Sequence, residues 1–158
     1  GASTGARKEV VEKYRPAIEL TGNPADGRKV YDKLCSTCHR IEGAGHKVGP
    51  DLVSVQNKSP DDLLIAILDP NREAQPSFIN YTAATESGRV LTGLISSETA
   101  AAIVLMRAEA KTDVVLRADL ESLVSSGMSL MPEGVEKDLQ PQQIADVIAF
   151  IKSLAPPK

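Results

Sequence analysis

Three of the chain's four cysteine and histidine residues fall within five positions, in Cys35-Ser36-Thr37-Cys38-His39; only His46 lies outside. Two thiols three apart at a helix end can each add to a vinyl group of one porphyrin. The adjoining imidazole then meets the iron from the same side. Cys-x-x-Cys-His is the signature of covalent haem attachment. Two other chemistries use these residue types. A redox dithiol usually follows a strand in a βαβ unit, whereas the residues before Cys35 read as helix. A structural zinc site takes four ligands, with wider separation between pairs. Here Cys35, Cys38 and His46 supply three, His39 abuts Cys38, and no second cysteine pair exists. The motif therefore predicts one haem c, bound through Cys35 and Cys38, with His39 as the proximal metal ligand.

The second axial position has four candidates: His46, Met106, Met128 and Met131. A methionine is more often a core filler than a ligand. Met106 lies in the apolar run Ile103-Val104-Leu105-Met106 and reads as sheet core. His46 is seven positions from His39 in a Gly-rich loop, a short reach to the opposite face. Met128 and Met131 share the loop Gly127-Met128-Ser129-Leu130-Met131-Pro132-Glu133-Gly134. Pro132 restricts the backbone immediately after Met131, which helps present a thioether at a set place. Met131 is the leading candidate, with Met128 and His46 as alternatives. Metal-bound histidines usually donate their other ring N–H to an oxygen. The carbonyl of Pro50, in Gly49-Pro50-Asp51-Leu52, is the expected acceptor for His39.

These residues need elements to hold them. Val10, Val11, Tyr14, Ala17 and Ile18 recur at helical spacing over residues 6–20. A second helix is expected over about 25–38, capped by Asp26 and ending in the cysteine motif. Ser59-Pro60-Asp61-Asp62 is a helix start, with Ser as N-cap, Pro at the first position and acids in the first turn. That helix should stop at Asp69-Pro70-Asn71. Pro141 opens a last helix with Ile144, Val147, Ile148, Ile151 and Leu154 on its apolar face. Between them, four short apolar runs separated by turns, over about residues 78–118, predict a small antiparallel insert. Asp119 to Leu123 reads as a short helical turn. The expected fold class is a mainly α haem domain with an inserted small antiparallel β-sheet. Residues 1–22 are expected to be an extension helix, the tail of a preceding domain, and 23–158 the haem domain. The start, Gly1-Ala2-Ser3-Thr4-Gly5, reads as a trimmed mature end.

Composition narrows the function class. Among 158 residues the aromatics are three Tyr and two Phe, with no Trp, against 42% hydrophobic. Aliphatic residues must build the core, with a flat apolar porphyrin filling the space that aromatic rings would. Net charge is −3 and no Lys/Arg run is present, which argues against nucleic-acid binding. No apolar stretch is long enough to span a bilayer.

Taken together, the motifs resemble a c-type cytochrome of the class I kind. Gly27 and Tyr31 match the small and aromatic positions of its N-terminal helix, and Phe150 the aromatic of its C-terminal helix. The resemblance is closest to the haem-binding domain common in planctomycetes and verrucomicrobia. It rests on His39 with Gly43, Gly45 and Gly49-Pro50-Asp51-Leu52, then Ile67-Leu68-Asp69-Pro70-Asn71, Gly88-Arg89-Val90-Leu91-Thr92-Gly93 and Ser129-Leu130-Met131-Pro132-Glu133-Gly134. It covers roughly residues 24–154. The resemblance implies His39/Met131 ligation, with Pro50 and Leu52 in the haem-binding loop. It implies electron transfer rather than enzymatic turnover, and a redox partner or a fused dehydrogenase domain. It also implies a periplasmic or otherwise extracytoplasmic location in a bacterium. The competing expectation is a haem c enzyme or gas-binding sensor with a displaceable sixth ligand. For that role His46 is the sole distal histidine available.

Overall fold

The computed structural model describes residues 4–156. Residues 1–3 and 157–158, the ends of the two expected domains, lie outside it. Among the described residues, four α-helices are placed by their own start signals. Helix α1 (Gly5–Tyr14) is capped by Thr4, whose hydroxyl accepts the Arg7 N–H. Pro16 then turns the expected long helix into a 3-10 segment, Arg15–Glu19. Helix α2 (Pro24–Val30) is capped by Asn23 and not by Asp26, because the Asn23 side chain accepts the N–H groups of Ala25 and Asp26. A π-helical turn, Tyr31–Cys35, carries the chain into the cysteine motif. Helix α3 (Pro60–Leu68) starts at the Ser59 cap and its acidic first turn. Helix α4 (Pro141–Ser153) starts with a reciprocal Gln140/Gln143 cap.

Helices α2 and α4 cross in close contact. A Cβ on Gly27 would lie 2.0 Å from the Asp146 carbonyl oxygen, so only a residue without one allows this approach. The rings of Tyr31 and Phe150 meet nearby, 5.7 Å apart and tilted by 43°, an arrangement favoured by the ring quadrupoles. The helical core gathers Val11, Ala17, Val30, Leu52, Leu64, Leu68, Ile144, Ile148 and Ile151 around this crossing.

The expectation of a mainly α fold is corrected. The described residues are 43% helical and 27% strand, an α+β mixture. A two-residue hairpin, β1 (Arg40–Ile41) with β2 (Ala44–Gly45), follows the cysteine motif. A five-stranded antiparallel sheet then follows: β3 (Ile79–Thr85), β4 (Val90–Glu98), β5 (Ala102–Arg107), β6 (Lys111–Leu116) and β7 (Leu120–Ser129). The four expected runs correspond to β3–β6. The fifth strand, β7, occupies the stretch read as a helical turn and a loop.

The sheet order is β6-β5-β4-β3-β7, so β6 and β7 are its two edges. In a flat sheet those edges would stand about 19 Å apart. Only Arg117–Asp119 connects them, and the four Cα steps from Leu116 to Leu120 reach at most about 15 Å. The sheet therefore curls into a small open barrel. Its interior holds Ala83, Ile103, Leu105 and Val115, with Tyr81, Leu91, Ile95, Leu120 and Leu123 packed against them. Every strand contributes, and no residue is shared with the helical core. The barrel is inserted at a neck: Ile79 pairs with Ser129, and the Leu130 N–H donates to the Phe78 carbonyl at 2.8 Å.

Candidate haem-attachment site

The π-helical turn ends on Cys35, and its backbone hands over directly to the next turn. The Ser36 N–H reaches the Tyr31 carbonyl at 3.0 Å, while Cys38 and His39 donate to the Cys35 carbonyl at 3.1 and 2.8 Å. Wide helical turns of this kind are frequent at functional sites. The Tyr31 hydroxyl donates to the His39 carbonyl at 2.8 Å. Tyr31 thus joins the helix crossing to the backbone of the candidate ligand, a role its position in a helical pattern did not disclose.

The loop returns over the motif. Val48 and Gly49 donate to the Cys38 carbonyl at 3.0 and 2.7 Å. This puts Pro50 beside His39, whose Nδ1 lies 2.7 Å from the Pro50 carbonyl oxygen. The contact is hydrogen-bonded when Nδ1 carries the proton, which leaves Nε2 with a free lone pair. Burial holds the His39 imidazolium below its ordinary pKa, partly opposed by the Pro50 carbonyl; the ring therefore favours the neutral, ligating form. A Cβ on Gly49 would lie 2.7 Å from His39 Cε1, so the ring occupies space that only glycine leaves open. Leu52 is buried in the helical core.

Both cysteines are partly buried. Burial, with the charge of neighbouring Cys38, pushes the Cys35 thiol up to about 11. Among the described residues, no cluster of three or more His, Cys, Asp and Glu side chains could hold a metal ion. The residues fit a haem c instead: two thiols, a neutral imidazole oriented by a carbonyl, and a loop folded back on the motif.

The remaining candidates lie on other segments, and of them His46 is tied to the motif by its backbone, its N–H donating to the Ser36 carbonyl at 3.0 Å. Met131 follows β7, partly buried, and its N–H donates to Ser129 Oγ at 3.1 Å. Asn71, just beyond α3, is buried; its side chain accepts the Ser129 N–H at 2.7 Å and donates to Glu133 at 2.8 Å. It thus brackets Met131 from both sides. Met128 lies in β7 and is 49% exposed. Met106 lies in β5, opposite Leu94 and Thr112. His46 is exposed just past β2. The barrel also touches the motif: Glu109, at the β5–β6 turn, donates its N–H to the Thr37 carbonyl at 2.6 Å.

A helical core wrapped around a Cys-x-x-Cys-His turn, with an oriented histidine, defines a haem-attaching domain. The cytochrome c family profile matches residues 24–155, and the chain belongs to that family. Two relatives are cytochromes c. The one from Ulva intestinalis is 50% identical over 32 residues, 20% of this chain and 29% of its own length. The one from Nigella damascena is 47% identical over 32 residues, with the same coverage. The chain thus spans less than a third of the length of the curated relatives it matches. Family membership carries haem c, covalently bound and containing iron. Among the described residues, no helix is long and apolar enough to cross a membrane.

Proposed function

We propose that this chain is a monohaem electron-transfer module whose iron is held by His39 and Met131. It works on the extracytoplasmic side of a bacterial membrane and exchanges electrons with a dehydrogenase, fused to it or separate. The observation that carries this reading is the 2.7 Å contact between His39 Nδ1 and the Pro50 carbonyl. It fixes the tautomer and turns Nε2 into the available donor, an arrangement usual for metal-bound histidine. Met131 is supported by partial burial and by the Asn71 bracket around its loop; Met128, in contrast, is largely solvated. The motifs shared with the planctomycete and verrucomicrobial haem domains support the dehydrogenase partner.

When bound, the haem supplies a one-electron iron couple. The chain's own residues do the rest. Cys35 and Cys38 anchor the group, His39 and Met131 hold the iron in a closed site, and the Pro50 carbonyl raises the donor strength of His39. Leu52 and the helical core exclude water on that side. Pairing His with Met raises a haem potential, as does burial. The net charge of −3 favours a basic or weakly charged partner, with docking that weakens as salt screens it.

The test is a visible spectrum of protein matured with haem c assembly. Sharp bands on reduction and a covalent mass increase of one haem are expected, with a far-red sulfur–iron band in the oxidised protein. Met131→Ala should abolish that band, and Met128→Ala should keep it. Rapid CO binding by the reduced wild type would overturn the closed-site reading.

A further inference from the structure

One charged side chain from the stretch that precedes the family match is buried almost completely. Arg7, on α1, is 8% exposed and its partner Glu136 is 6% exposed. Nη1 and Nη2 donate to the two Glu136 carboxylate oxygens at 2.9 and 3.1 Å. Nε donates to the Leu68 carbonyl at 2.9 Å. That carbonyl belongs to the last residue of α3, where helix geometry leaves acceptors without an intrahelical partner. A single guanidinium therefore joins three segments: α1, the end of α3, and the segment between Met131 and α4. Tyr14, also on α1, donates its hydroxyl to the Glu136 carbonyl at 3.3 Å.

The other end of the Met131 loop is tied to the same place. Asn71, three residues beyond Leu68, accepts the Ser129 N–H. The loop 129–136 is thus pinned at both ends to the stretch 68–71, by Asn71 at its start and by Arg7 at its finish. Neither pin is hydrogen-bonded to Met131 itself. A buried ion pair adds little net stability compared with apolar residues of equal size. The planar fork of an arginine nevertheless fixes where its partners sit, more tightly than a point charge does.

We propose that Arg7 is a positioning residue for the sixth iron ligand: by clamping Glu136 to the Leu68 carbonyl, it limits how readily the Met131 loop swings away and admits an outside ligand. This rests on the reading that Met131 ligates the iron. An outside ligand binds only the open form, so its apparent affinity scales with the population of that form. A loosened clamp therefore appears as tighter binding.

The experiment titrates the oxidised holoprotein with imidazole and follows the far-red sulfur–iron band. The variants are Arg7→Lys, which keeps the charge and loses the fork, and the double variant Arg7→Met/Glu136→Leu, which keeps the packing without the pair. Both should bind imidazole about tenfold or more tightly, with covalent haem and helix content unchanged. Affinities equal to wild type in both variants, accompanied only by lower thermal stability, would overturn the proposal and leave Arg7 a structural residue. A wild-type holoprotein with no sulfur–iron band would overturn the ligation reading, and this proposal with it. A wild-type band with unmoved imidazole affinities would overturn this proposal alone.

Discussion

His39 Nδ1 and the Pro50 carbonyl oxygen stand 2.7 Å apart, and the space that permits this is the missing side chain of Gly49. Replacing Gly49 with alanine puts a methyl group 2.7 Å from His39 Cε1 and 3.0 Å from Nδ1, so the ring must shift. A looser contact weakens the donor strength that Pro50 lends the imidazole, which disfavours oxidised iron. Gly49→Ala should therefore raise the reduction potential by up to about 60 mV, a tenfold change for one electron. A potential equal to or below wild type in redox titration would contradict this role for Pro50.

Attachment chemistry needs thiolates, and the Cys35 thiol is held at about 11 by burial and by neighbouring Cys38. In the folded, haem-free chain, Cys35 should therefore resist alkylation at neutral pH. Its rate should climb with pH toward a midpoint near the shifted value, and unfolding in denaturant should remove the delay. Peptide mass spectrometry after timed iodoacetamide labelling reads this directly; full labelling of Cys35 at pH 7 at the rate of unfolded chain would refute it.

Acid should unfold the protein partly through Glu136. Burial pushes its carboxyl upward, but the Arg7 hydrogen bond, its own backbone N–H and the nearby positive charge outweigh that and leave it below the ordinary 4.5. A carboxylate depressed in the folded state contributes stability above the unfolded value and loses it as pH falls through the folded one. Glu136→Gln leaves Arg7 buried without a counter-charge and should cost about 3–5 kcal/mol at pH 7. The gap between variant and wild type in urea titrations should shrink below pH 4.5. A gap independent of pH would show that charge is not what the pair contributes.

The helices were readable because their start signals are local. Ser59-Pro60-Asp61-Asp62 and Pro141 mark α3 and α4 where the structure starts them. The attachment motif was equally readable, since its chemistry depends on spacing within five residues. Strand β7 was not. Its sequence, Leu120-Glu121-Ser122-Leu123-Val124-Ser125-Ser126-Gly127-Met128-Ser129, has no clean alternation, because as a barrel edge it turns only Leu120 and Leu123 into the interior. Val124, although apolar and β-branched, is 60% exposed. The pins on the Met131 loop were hidden for another reason: Arg7 and Glu136 are 129 positions apart, and only packing brings them together.

The barrel's insertion geometry makes it removable. Its ends, Ile79 and Ser129, face each other as a strand pair, and its interior shares no residue with the helical core. An Asn-Gly pair favours the two-residue turn that closes such a pair with the right twist. Replacing residues 80–128 with Asn-Gly should therefore leave a chain that still binds haem covalently and unfolds cooperatively on heating. The loss should be local: without Glu109 donating to the Thr37 carbonyl, amide exchange in the Cys35–His39 turn should speed up. If the shortened chain fails to attach haem while keeping its helix content, the barrel is part of the attachment site and not an addition to it. If exchange in the turn is unchanged, the 2.6 Å contact between Glu109 and Thr37 does not restrain the motif.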